Sequence, residues 1–340
     1  MEKERNTLLD FVKAVSALGV ILVHFQFPGY FGAVMCSVGV VGVIIFFFIA
    51  GYSSYSADGS SAPKLLKRFK RNLMLLLTAL LVYAVYEVIL QLATGNFQSW
   101  LTQFTDWGFY VRLFILGDFD FIDAGPLWFM LALLYCYLIL YLIEKNRLHK
   151  TFYPLLPLLL LLRIGMETFT NSYTGSNPWI TWHLSGNFLV GGLPIMLFGN
   201  YIACKKDKFV SIKTPVLLGG FAAFLIATFL TVCFKINGTI DISQPFKIGA
   251  AFFVFILCLK HGSVHICSLL EYIGAFLTTY IYLYHNLIGL LIKRLIGALN
   301  VPEAVVSWTL PVLVMISAVL VSYVITSASK AAWQNKARKG

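Results

Sequence analysis

Long apolar runs, separated by short polar intervals, set the rhythm of this chain. Thr214–Phe234 and Val305–Thr326 carry no formal charge at all. Crossing a bilayer takes about 20 mostly apolar residues. The pattern predicts spans at 7–27, 33–54, 72–92, 126–143, 151–168, 182–203, 214–234, 245–260, 272–292 and 305–326. Strands of a membrane barrel would instead alternate apolar and polar positions over about ten residues. In lipid every backbone N–H and C=O needs an internal partner, so unbroken runs mean helices. The expectation is an all-α polytopic membrane protein of about ten helices, one transmembrane domain over 1–340 without a soluble domain.

The longest interval, 93–125, is not plainly polar. Phe97, Trp100, Leu101, Phe104, Trp107, Phe109 and Leu113 suggest a segment lying in the interface. It reads either as structural cover or as a lid over an outward-facing acceptor site.

Composition agrees with the pattern. Hydrophobic residues make up 59% of the 340 and charged residues only 12%, against roughly a quarter charged in soluble domains. The formal charge of +11 changes the picture only through its placement. Most basic residues fall in alternate loops, such as Lys64–Arg71, Lys145–Lys150 and Lys205–Lys213. Asp106, Asp118, Asp120, Asp123, Asp241 and Glu303 fall in the others. The positive-inside rule then puts both termini in the cytoplasm of a multi-pass protein of the inner or plasma membrane. Lys293–Arg294 runs against that rule. The charge is topogenic, so no nucleic-acid partner is expected. The six cysteines form no CxxC pair and read as small buried hydrophobes. The first apolar run contains Asp10, Lys13 and His24 and has no evident cleavage site, unlike a signal peptide.

Charges at membrane depth are costly and mark pathways or sites. Asp10 and Lys13 share a face of the first helix. His24, eleven residues beyond Lys13, returns to within roughly 20° of that face and about 16 Å further along the axis. The stripe Asp10–Lys13–Ala17–Val20/Ile21–His24 fits a structural ion pair with a polar cap, and equally fits a site. Arg68 and Arg71, one turn apart, suit either anionic lipid or a bidentate phosphate contact. His285 falls in the ninth span. With the topology above, His24, His285, Glu167 and His183 share the outer half of the membrane, as an acid–base site requires. No P-loop, nucleophile elbow or metal-spaced Cys/His motif is present, and no metal is expected.

Leu9-Asp10-Phe-Val-Lys13 followed by His24 resembles the opening of the acyltransferase-3 membrane family. Gly39-Val-Val-Gly42 with Phe46-Phe47-Phe48-Ile-Ala50-Gly51-Tyr52 resembles its second-helix stretch, and Arg68-Phe-Lys-Arg71 its RxxR. Pro126-Leu-Trp128-Phe129, Gly199-Asn-Tyr201 and Tyr282-Leu-Tyr284-His285 are similar to later landmarks. The resemblance implies transfer of an acyl group, commonly acetyl, from cytoplasmic acyl-CoA to a hydroxyl of a carbohydrate, lipid-linked or other cell-envelope acceptor. It gives His24 the role of general base or transient acyl carrier, with His285 assisting and Lys13 and Asp10 near the thioester path. Arg68 and Arg71 would hold acyl-CoA, while Glu167, His183 and Trp128 would stand on the acceptor side. Lys13 replaces the family's Arg and loses its planar fork, and Ala50 replaces a usual Ser. The chain ends soon after the tenth span, so a second transfer step would need a partner transferase or is absent. The competing expectation is a polysaccharide export protein that transfers no acyl group.

Overall fold

A computed structural model describes residues 5–172, 182–233 and 241–339. Among them the secondary structure is helical, with no strand. The long helices are α1 (Thr7–His24), α2 (Gly29–Tyr52), α3 (Ala62–Ala93), α4 (Trp128–Lys145), α5 (Leu156–Ser172) and α6 (Leu193–Cys204). They continue with α7 (Thr214–Cys233), α8 (Gln244–Lys260), α9 (Ser268–Phe276), α10 (Thr278–Ala298) and α11 (Glu303–Lys339). Among the described residues, seven helical segments are long and apolar enough to cross a membrane. The pair α9 and α10, bent by 84° at Leu277, makes an eighth if counted as one span. This is a multi-pass membrane protein.

The sixth expected span starts later than hydropathy suggests. Asn187 caps it, accepting from the N–H groups of Leu189 and Val190 at 3.0 and 3.1 Å. A π-turn over Phe188–Gly192 then leads into α6. His183 therefore sits in a separate 3-10 turn, Trp182–Leu184. The segment 97–116 breaks into short helices, and their aromatic rings pack on one another. Phe104 and Phe109 meet edge-to-face at 5.0 Å, as do Phe109 and Phe121. Trp107 remains 78% exposed.

The described residues divide into two compact units, 1–46 with 210–233 and 246–340, and 47–209 with 234–245. The core of the first is Ala14, Ala17, Ile21 and Phe25 of α1, packed on Ile273, Ile281, Val314 and Ala318. Small residues let its backbones meet. At Gly274 an added Cβ would collide with the carbonyl of Asp10, and at Gly289 with the ring of Phe25. Without a hydrophobic drive between helices in lipid, such close approach supplies the packing energy. In the second unit, Gly199 lies against the backbone of Phe48, and Gly51 against that of Met196.

Candidate functional site

The start of α1 is fixed before any chemistry can be asked of it. Asn6 is its N-cap, with Oδ1 accepting from Leu9 N–H at 2.8 Å and Nδ2 donating to the Cys258 carbonyl at 2.7 Å. Thr7 donates through N–H to the Gly262 carbonyl at 2.8 Å. Buried Asp10 then takes two cations, Lys13 Nζ at 2.6 Å and Arg5 Nε at 2.5 Å. Arg5 also donates to the Glu271 carbonyl at 2.7 Å, and the Glu271 carboxylate accepts from Ile266 N–H at 2.9 Å. Lys13 thus has a carboxylate partner that it shares with Arg5. The middle of the stripe, Ala17, Val20 and Ile21, is buried and forms the packing face of α1.

At the other end of α1, His24 and His285 face each other with ring centroids 5.3 Å apart and planes at 44°. His285 Nδ1 lies 2.8 Å from the Tyr282 carbonyl and 3.1 Å from that of Ile281. Carbonyls only accept, so Nδ1 carries the hydrogen and Nε2 keeps a lone pair. That Nε2 is buried with no hydrogen-bond partner among the described residues. His24, by contrast, exposes its ring. The result is a reachable imidazole backed by a buried one whose tautomer the backbone fixes.

In the second unit, Arg68 donates through Nη1 to the Ser53 carbonyl and hydroxyl, both at 2.8 Å. Arg71, one turn on, is exposed. The loop before them hangs on Glu144, which is fully buried. Glu144 accepts from Asn200 Nδ2 at 3.0 Å and Ser56 N–H at 3.3 Å, and pairs with His149 Nε2 at 3.1 Å. In the same loop the Ser60 N–H, 3.0 Å from Asp58 Oδ1, holds the Asp58 carboxyl below its ordinary range.

Glu167 is half-buried and accepts from Gln244 Nε2 at 2.8 Å, with Arg163 Nη2 at 3.7 Å. Arg163 also donates to the Gly191 carbonyl in the π-turn. Trp128 packs on Phe47, centroids 6.4 Å apart, and fills the space beside Gly191. His183 Nε2 lies 3.7 Å from Asp118 and 3.8 Å from Asp120. Arg112 approaches Asp118 at 3.8 Å.

A family model for an acyltransferase domain matches residues 6–327, nearly the whole chain. The chain belongs to the acyltransferase 3 family. No curated protein and no solved structure matches it. In this membrane acyltransferase the structure joins Asp10 with Lys13, and His24 with His285. Glu167 and Trp128 are linked through Arg163 and Gly191, while His183 lies by Asp118 and Asp120. Four residues with structural weight are not singled out by the sequence reading: Arg5, Glu144, Arg163 and Glu271. Arg163 had a visible signal, a cation inside an apolar run. Glu144 has one too, an acid at a span end with His149 five residues on. Nothing local marks the contact between Arg5 and Glu271, because the two residues are 266 positions apart.

Proposed function

We propose that this acyltransferase moves an acyl group, most simply acetyl, from cytoplasmic acyl-CoA to a hydroxyl of a carbohydrate, lipid-linked or other cell-envelope acceptor. The observation that carries this reading is the His24–His285 pair: one exposed imidazole beside a buried one with a free lone pair. A general base needs a reachable nitrogen and a neighbour that tolerates the charge it acquires. His24 takes the proton as the acceptor oxygen attacks the thioester carbonyl. The lone pair of His285 Nε2 stabilises the imidazolium that forms. Collapse of the tetrahedral intermediate breaks the C–S bond, and the CoA sulfur leaves with the proton returned by His24.

Arg68 and Arg71 would hold the CoA phosphates. Two guanidinium groups one turn apart offer parallel N–H forks to phosphate oxygens, and the hydrogen bonds to Ser53 restrain one of them. Asp10 would hold Lys13 in place on the thioester path. Glu167, His183 and Trp128 are the acceptor-side group.

The test is a titration of the detergent-purified protein with acetyl-CoA, longer acyl-CoAs and CoA, followed by thermal unfolding. A ligand at 100 times its Kd raises stability by about 2.7 kcal/mol. The expected result is a saturable rise in Tm that Arg68→Ala/Arg71→Ala abolishes. A folded wild-type protein with no shift for any acyl-CoA would overturn the donor assignment.

A further inference from the structure

The first compact unit holds a cavity of about 490 Å³, bounded by α1, α2, α7 and α8. Its walls are apolar for most of their length, with Phe11, Val15, Val41, Leu218, Phe221 and Val254 among them. The packing explains why it exists. α1 and α2 meet backbone to backbone, with Gly39 against Gly19 and Gly42 against Ser16. α7 and α8 interlock through Gly220 on Phe253 and Gly249 on Phe224. Each pair closes on itself, and the space lies between the pairs. Val15 is 42% exposed and Leu218 54% exposed, so the cavity opens sideways at these walls, toward the bilayer.

One end differs. There Thr214 and His261 line the cavity, Thr214 Oγ1 lying 2.8 Å from His261 Nε2. Each of them directly follows a lysine. Lys213, exposed, caps α7 by accepting from the N–H of Val216 at 3.0 Å. Lys260 donates to the Ile212 carbonyl at 2.6 Å. The positive end of the 20-residue α7 dipole adds to that charge. The positive-inside rule assigns this basic end to the cytoplasmic leaflet.

We infer that this cavity is a binding site for an anionic phospholipid of the cytoplasmic leaflet. One acyl chain fills the apolar space, and the phosphate rests on Lys213, Lys260 and the α7 N-terminus. At roughly 30 Å³ for a water-sized group, the volume takes on the order of sixteen heavy atoms, the size of one fatty-acyl chain. A neutral amphiphile would leave the lysines without a counter-charge, and a soluble anion would leave the apolar walls uncovered. The inference is independent of acyl-CoA chemistry.

Native mass spectrometry of the detergent-purified protein with an equimolar mixture of phosphatidylglycerol and phosphatidylcholine tests it. One phosphatidylglycerol should be retained in preference, by about tenfold or more. Val15→Trp, or Leu218→Trp should the first fail to fold, fills the space and should lose that adduct with Tm held. Lys213→Glu puts an acid at the helix start, where it is tolerated, and should abolish the preference between headgroups. Equal retention of both lipids by the wild type, or unchanged phosphatidylglycerol binding in a folded variant of either kind, overturns the site.

Discussion

At the scale of single residues, the two histidines have unequal duties. His24 presents its ring, while His285 spends Nδ1 on two backbone carbonyls and leaves Nε2 without a hydrogen-bond partner among the described residues. General acid–base groups contribute about 10²–10⁴-fold. His24→Ala should therefore lower acyl transfer by that factor with membrane insertion and Tm unchanged, measured by acceptor acylation in purified vesicles. Full activity in that variant would remove His24 from the chemistry. His285→Phe keeps the ring volume but deletes the lone pair and should lower kcat with little change in KM for acyl-CoA. A change confined to KM would show that His285 serves binding instead. His24 was legible because it shares a helix with Asp10 and Lys13 at 3.6-residue spacing. Its association with His285 was expected from their shared depth and the family resemblance, whereas the ring contact itself was not, since no local period reports a contact between α1 and α10.

At the scale of elements, glycine decides how near the helices come. Phe25 lies where a side chain at position 289 would project, so Gly289→Ala must push α1 and α10 apart beside the histidine pair. Overpacking of this kind costs about 1–3 kcal/mol. A lower Tm together with lost transfer is expected, and Gly297→Ala, where nothing lies near, is the control that should change neither. Glu144 controls a loop in the same structural sense. Glu144→Ala would strand the buried Asn200 amide and the Ser56 N–H, at about 1–3 kcal/mol. The loop that holds Arg68 would loosen with it. Its acyl-CoA affinity, read by the same titration, should fall; an unchanged affinity would separate the loop from donor binding. Hydropathy found the helices because lipid demands them. It misplaced the start of the sixth span because Asn187 and the π-turn, rather than apolarity, fix that boundary.

At the scale of the whole molecule, fold class and family were readable from pattern and ordered motifs. The positive-inside rule makes a further claim that can be measured. A protease-cleavable tag after Gly340 should be cut from the cytoplasmic side only, in inside-out but not right-side-out vesicles. The reverse outcome would invert every loop and move the Arg68–Arg71 pair away from cytoplasmic CoA.

Neither compact unit is one continuous stretch of chain, and that has a consequence for how the protein is made. Arg5 finds its acceptor on Glu271, 266 positions later. At about 5–20 residues per second, α1 is inserted and then waits on the order of tens of seconds for α9 and α10. Throughout that interval Asp10 has Arg5 and Lys13 at hand, local cations that need no later helix. The Arg5–Asp10–Lys13 cluster therefore also keeps a buried carboxylate neutralised while the ribosome is still at work.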